Sequence, residues 1–169
     1  DTPDFPSIDG TTATWENDSS LSSEQREQYD RVIRALSETT PQTLREQRVS
    51  LVGCGGLGSV ITEQLGRLGV GEIDLIDPDV VEPSNLPRLY GAYSDDVGRA
   101  KVDVLREHLK SIDETLTVRT HEGRVEDVRD VVKTADVVVA GLDRMSTRAF
   151  LNRFCIKHCL PYIDAGVVI

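Results

Sequence analysis

The chain has 169 residues, enough for one domain with a substantial core. Acidic residues number 29 against 19 basic ones, a formal net charge of −10, which argues against general nucleic-acid binding. No apolar run is long enough to span a bilayer, no signal-peptide pattern opens the chain, and three unevenly spaced cysteines fit a reduced, cytoplasmic setting.

The predicted elements begin with an arm over residues 1–21, polar and broken by Pro3, Pro6 and Gly10. Ser22 or Ser23 is positioned to cap a helix from Glu24 to about Ser37, with Tyr29, Val32, Ile33 and Leu36 on one stripe, and Ser37–Thr43 reads as a linker. Residues 22–47 thus form an N-terminal helix and linker ahead of a nucleotide-binding domain over 48–169. In that domain Val49–Val52 is a short strand, and Leu57, Val60, Ile61, Leu65 and Leu68 mark a helix ending at Gly69. Ile73–Ile76 is a second strand. After a long loop, Val97 to Ile112 carries a helical stripe that Ser94 or Asp95 is placed to cap. Leu116–Thr120 is a strand, Val125–Val132 a short helix, Asp136–Ala140 a buried strand, Thr147–His158 a helix and Tyr162–Val168 a last strand. This alternation predicts an α/β fold of Rossmann-like, doubly wound type, with a mainly parallel sheet and helices on both faces.

The chemistry concentrates around Gly53-Cys54-Gly55-Gly56-Leu57-Gly58, where a strand turns into a helix. Gly53 allows the tight turn, Gly55 and Gly56 let backbone amides approach a phosphate, and Gly58 lets helix and strand pack closely. Asp77, at the end of the second strand, is placed to accept ribose hydroxyls or to cap the turn at Pro78. Up to this point NAD, FAD and ATP fit equally.

Further along lie Asp79, Asn85, Arg88 and Lys101, and Asp143 follows the apolar strand 137–140. Two cations behind a glycine loop suit an enzyme that cleaves a triphosphate, because charge grows on the leaving pyrophosphate. Arg88 offers a planar fork, Lys101 a mobile point charge. A carboxylate such as Asp143 at the sheet's carboxyl edge can hold Mg²⁺ against phosphates, or cap the following helix. An NAD(P)-dependent oxidoreductase accounts for the loop and Asp77 but leaves Arg88, Lys101 and Asp143 without a task. A non-catalytic partner of the same substrate would be expected to have lost one of these charges, and none is lost.

The stretches VGCGGLGS, LGVGEIDLIDPDVVEPSNLPR, DVGRAKVDV, VVVAGLD and LPYIDAGV together resemble the ThiF/MoeB/HesA-type adenylyltransferases, the core of ubiquitin-activating enzymes. The resemblance runs from about Glu24 to Ile169. It implies adenylation, by ATP and Mg²⁺, of the C-terminal glycine of a ubiquitin-like β-grasp protein or sulfur carrier. It further implies Asp77 on the ribose, Asn85, Arg88 and Lys101 on the phosphates, Asp143 on Mg²⁺ with Asp79 nearby, and a homodimer in which Arg31 reaches the partner's nucleotide. No general base is required, because a glycine carboxylate is already ionised at neutral pH.

The chain departs from that pattern at Leu89, where the family usually has Gln, and at Arg144, where Asn is usual. The family's paired CxxC motifs and catalytic cysteine normally lie beyond Ile169. A start at Asp1 and an apolar end at Val167-Val168-Ile169 are accordingly expected of a piece of a longer protein. Cys155 and Cys159, one helical turn apart, read as core residues, Cys54 as filler, and His108, His121 and His158 as unclustered. The four lysines, Lys101, Lys110, Lys133 and Lys157, against a large acidic surplus fit a protein working in high salt.

Overall fold

The computed structural model describes residues 21–166, so the arm expected over 1–21 and the end of the last strand, 167–169, lie almost wholly outside the described residues. The sheet consists of β1 (Arg48–Val52), β2 (Glu72–Asp77), β3 (Thr117–Glu122), β4 (Val137–Ala140) and β5 (Tyr162–Asp164). All neighbours run parallel, in the order β3-β2-β1-β4-β5. Chain order therefore reverses between β1 and β4, and the crevice at their carboxyl ends is where ligands bind in such sheets.

Helices α4 (Gly56–Leu68) and α5 (Lys101–Ile112) lie on one face. Val49, Leu51, Ile73, Leu75, Leu105 and Leu109 form the core there. Helices α6 (Arg129–Val132) and α7 (Met145–His158) cover the other, over Val52, Ile76, Val138, Leu151 and Phe154. The apolar strand runs thus sit between two helical layers, as parallel strands require.

Helix α4 turns its small residues inward. Gly58, Ser59, Thr62, Glu63 and Gly66 are buried, whereas Leu57, Val60 and Leu68 are about 40% exposed (40%, 39% and 40%). Close approach dictates this: a Cβ on Gly58 would lie 1.8 Å from the Gly53 carbonyl oxygen, and one on Gly66 would lie 2.9 Å from Leu109. Gly69 ends the helix in the left-handed conformation, as its position predicts.

The N-terminal region differs from the single helix expected. It forms α1 (Ser23–Gln28), α2 (Asp30–Ala35) and α3 (Thr40–Arg45). Ser22 caps α1 through a reciprocal pair of bonds with Gln25. The chain breaks at Tyr29, which is buried against Gly69. Part of the expected linker is helical because Pro41 stands in the first turn of α3. Since α4 runs away from the carboxyl edge, Tyr29 and its helices sit at the amino edge.

Other boundaries moved for local reasons. Ser94–Asp96 forms a separate 3-10 turn and does not cap α5, which starts at Lys101 behind Ala100. Gly98 takes a positive φ of 90°, and a bridge between Val80 and Ala100 keeps the intervening chain extended. Only the last turn of the expected 125–132 helix is helical, and α7 starts two residues earlier than expected. Cys155 is core, but Cys159 is exposed, because it closes α7 at a left-handed φ of 54°.

Candidate functional site

The glycine turn opens directly onto the β1–β4 crevice. Gly53 adopts a φ of 94°, and a Cβ there would meet the Gly141 carbonyl oxygen and the Leu142 side chain, both at 2.9 Å. Gly141 in turn lies against Gly58, where a Cβ would come within 2.8 Å of its Cα. Three glycines thus lock the β1–α4 turn to the loop after β4. At Gly55 a Cβ would meet nothing within 4 Å, so open space remains where a ligand's phosphates would lie. The first-turn amides of α4 have no partners within the helix and face that side.

Asp77 braces the turn from β2. Its Oδ2 accepts the Cys54 amide at 2.6 Å and its Oδ1 the Asp79 amide at 2.8 Å. Burial raises the Asp77 carboxyl above its usual range, against the opposing pull of those amides and of Lys101. The turn-capping role considered for Asp77 is therefore realised, and each oxygen keeps a lone pair for a ligand. Burial likewise pushes the Cys54 thiol well up, with Asp77 adding to the effect, so Cys54 is an inert neutral filler.

The long loop between β2 and α5 folds back on itself. The Val81 amide donates to Arg99 O and the Gly98 amide to Val81 O, both at 2.8 Å, while the Lys101 amide donates to Asp79 O at 3.0 Å. This closure brings Lys101 Nζ to 2.9 Å from Asp79 Oδ2, with Lys101 buried and Asp79 largely exposed. Val81, Leu89 and Val104 form a small core under the loop. Leu89, at the position where the family usually has Gln, is thus a buried packing residue.

Arg88 lies over the glycine turn, its Cγ and Cδ each 3.2 Å from where a Cβ on Gly56 would be. Its Nη1 donates to Ser84 O at 2.7 Å. Asn85 is buried and holds the loop, Oδ1 accepting the Glu82 amide at 3.2 Å and Nδ2 donating to Ser84 Oγ at 3.4 Å. The Ser59 hydroxyl accepts the Tyr90 amide at 2.9 Å, tying this loop to α4.

Asp143 stands two residues beyond Gly141, exposed, with no hydrogen bond or ion pair among the described residues. It does not cap α7; Arg144 occupies that position, without a side-chain bond. Among the described residues no three His, Cys, Asp or Glu side chains gather as a metal site. Asp143 therefore fits a hard cation only as one ligand of a set completed by phosphate oxygens.

The structure thus gathers Gly53, Gly55, Gly56, Gly58, Asp77, Asp79, Asn85, Arg88, Lys101 and Asp143 at one sheet edge. Arg31 is not among them. It sits on α2, two residues from Tyr29, which packs on Gly69 at the far end of α4. Thirteen helical residues separate those ends, about 20 Å at 1.5 Å per residue. Sequence reasoning missed Gly141 and Ser59. A glycine immediately after a buried strand was the visible signal for the first; nothing in the sequence marked the second.

The ThiF family profile matches residues 29–169. The SAMP-activating enzyme E1 of Haloferax volcanii is 35% identical over 153 residues, covering 88% of this chain and 56% of that protein. The molybdopterin-synthase adenylyltransferase of Salmonella typhimurium is 30% identical over 152 residues, covering 88% and 61%. Among solved structures, the E. coli tRNA N6-threonylcarbamoyladenosine dehydratase TcdA in complex with ATP superposes with a TM-score of 0.78 at 28% identity, over 85% of this chain and 60% of that one. E. coli MccB with ATP gives 0.76 at 30% identity, over 83% and 45%. The chain spans only part of the curated relatives it matches, from 22% of the SUMO-activating enzyme subunit 2 of Dictyostelium discoideum to 61% of the Salmonella typhimurium protein.

Proposed function

The chain belongs to the ThiF family, and from that premise we propose that it adenylates a carboxylate at the expense of ATP. The substrate in this reading is the C-terminal glycine of a ubiquitin-like or sulfur-carrier protein. A carboxylate oxygen attacks the α-phosphorus, an acyl–phosphate bond forms, and the bond to the bridging oxygen breaks with its electron pair leaving on pyrophosphate. The observation that carries the proposal is the convergence of Arg88, Lys101 and Asp143 on one glycine turn at the switch point of the sheet. A redox cofactor gives those three charges no task.

The α4 amides and the open space at Gly55 receive the phosphates. Asp77 accepts ribose hydroxyls on its remaining lone pairs, and Asn85 keeps the loop in place for Arg88. Arg88 and Lys101 neutralise the oxygens on which charge grows, which lowers the barrier without proton transfer. Asp143 is the residue that would hold Mg²⁺, which would supply further charge stabilisation at the phosphates; Asp79 holds Lys101. Arg31, two residues from Tyr29 at the end of α4 remote from its own chain's turn, serves the site of a second copy in a homodimer in this reading. The setting is cytoplasmic, with all three cysteines free, and among the described residues no helix is long and apolar enough to cross a membrane.

The test is exchange of labelled pyrophosphate into ATP. Exchange that depends on a carrier protein ending in glycine supports the reading. Absence of exchange with every such carrier, combined with melting protected by NADH and not by ATP–Mg²⁺, refutes it.

A further inference from the structure

A buried carboxylate and the histidine beside it have no task in the chemistry above. Glu63 faces inward from α4 and is 5% exposed. Its Oε2 meets His108 Nε2 on α5, and its Oε1 accepts Arg67 Nε at 2.6 Å. Burial alone would raise the Glu63 carboxyl, but the bonds from His108 and Arg67 outweigh it and hold it below the usual range. Glu63 is therefore an acceptor, and His108 Nε2 carries the proton that it accepts. A buried ion pair between two helices stabilises no better than apolar side chains of the same size, so the effect of this one is to fix the ring in one orientation.

The fixed ring lies against Gly91. That residue has a φ of 78°, and a Cβ on it would stand 2.5 Å from His108 Cγ. One residue earlier, the Tyr90 amide donates to Ser59 Oγ at 2.9 Å, and the Ser59 hydroxyl donates in turn to Gly56 O, also at 2.9 Å, inside the glycine turn. Tyr90 is itself 54% exposed, so its backbone is the part that is held. The chain just after Arg88 is thus gripped from α4 and from α5. Ahead of it, Asn85 O accepts the Arg88 and Leu89 amides at 3.0 and 2.9 Å. We propose that Ser59 and His108 are positioning residues for Arg88, clamping Tyr90 and Gly91 so that the guanidinium stays over the glycine turn, with Glu63 holding the His108 ring. A misplacement of about 1 Å at a group that neutralises developing charge costs on the order of a hundredfold in rate, so Arg88 has to be held from behind as well as by Asn85.

The clamp stands on the loop geometry alone; its service to Arg88 rests on the proposed adenylation site, and the measurements separate the two. Hydrogen exchange of single amides, read by NMR, tests the clamp without any substrate. Ser59→Ala and His108→Ala each leave untouched Asn85 O, the acceptor of the Arg88 and Leu89 amides. Both variants nevertheless speed exchange at Arg88 and Leu89 by about tenfold over any change at Gly141, whose amide donates to Val52 O. His108→Gln, whose amide can still donate to Glu63, stays near the wild type; a His108→Gln as fast as His108→Ala removes Glu63 from the clamp. Acceleration at Arg88 and Leu89 no greater than at Gly141, in either alanine variant, overturns the clamp, whether or not the protein adenylates anything. In pyrophosphate exchange, Ser59→Ala and His108→Ala each slow the wild type by about tenfold or more, yet slow Arg88→Ala no further, because their effect passes through Arg88. Losses that add to that of Arg88→Ala mark a merely structural part and overturn the positioning role. A wild type that exchanges no pyrophosphate overturns the adenylation reading and with it the service to Arg88, while the amide measurement still decides the clamp.

Discussion

Two alanine substitutions three residues apart should separate the ligand-binding from the packing function of the glycine turn. At Gly58 a methyl group would stand 1.8 Å from the Gly53 carbonyl oxygen, with backbone on both sides of the clash. Overpacking of this kind costs about 3 kcal/mol, at the upper end of the usual range. Alanine would recover about 1 kcal/mol of helix propensity, leaving a net loss of about 2 kcal/mol. For a chain of this size that lowers Tm by roughly 4–8 °C. At Gly55 the backbone is extended, with a φ of −78°, and the added methyl meets nothing within 4 Å. Gly55→Ala should therefore fold as well as the wild type, or better by about 0.5 kcal/mol through the unfolded chain. ATP at a hundredfold excess over Kd stabilises the wild type by about 2.7 kcal/mol, a shift of roughly 5–10 °C. A methyl in the space meant for phosphate should remove at least about half of that shift, equivalent to a tenfold loss of affinity. Scanning calorimetry of the three proteins with and without ATP–Mg²⁺ checks both halves. Full ATP protection of Gly55→Ala would place the phosphates elsewhere, and an unchanged Tm for Gly58→Ala would contradict the packing.

Arg88→Ala and Asp143→Ala should each lose about 2–4 kcal/mol of transition-state stabilisation in pyrophosphate exchange, and Asp143→Ala should leave Tm nearly unchanged because Asp143 is exposed and unpartnered; wild-type exchange rates in both variants would remove their assigned roles. At the amino edge, burial alone would raise the Asp113 carboxyl, but the Thr115 hydroxyl and amide and the Arg45 guanidinium outweigh it and hold it below the usual carboxylate range. Its contribution is therefore full above about pH 4 and is lost as pH falls through the depressed value, so the Tm difference between wild type and Asp113→Asn should shrink under acid; a gap that widens there refutes the sign. Added KCl should raise Tm, since screening relieves the self-repulsion of a net charge of −10; a flat or falling Tm would show that the acidic surface does not limit stability.

Strand-helix alternation was sufficient to predict the doubly wound sheet, because the central strands β1, β2 and β4 are buried almost throughout and β4, Val137–Ala140, reads as an unbroken apolar run, while β3 and β5 at the edges are partly exposed. Glycine spacing similarly foretold the turn at Gly53–Gly58. Failures arose where long-range contact overrides local preference. The stripe through Tyr29 and Leu36 describes one helix, yet Tyr29 must reach Gly69, forty residues away, and the helix breaks there. Ser94 and Asp95 have the chemistry of a cap, but the Val80–Ala100 bridge fixes where α5 begins. Leu57 and Val60 mark a helix without revealing that its inner face needs Gly58 against the Gly53 turn and Gly66 against Leu109 of α5. Asp77 shows the same limit at the site: its position at the end of β2 is readable from sequence, but its hold on the Cys54 amide depends on two adjacent strands.

Most of the charged groups at the turn already have partners: Lys101 rests on Asp79, Arg88 on Ser84 O, and Asp77 on two amides. Long cationic side chains lose rotamer freedom when a ligand orders them, by about 0.5–1.5 kcal/mol each. Here Arg88 and Lys101 are already held on folding, so phosphates arriving at the proposed site would exchange partners instead of immobilising free side chains. The exchange also discriminates. Lys101 has an exposed carboxylate as its resting partner, and only a ligand with higher charge density can draw it away or share it. A triphosphate carries that density and a neutral nucleoside does not, so in the proposed site the Asp79–Lys101 pair would add a preference for charge to that for shape. Among the described residues, Asp143 at the carboxyl edge and Arg31 on the amino-edge helix α2 have no hydrogen bond or ion pair through their side chains, so neither is held in advance as Lys101 is.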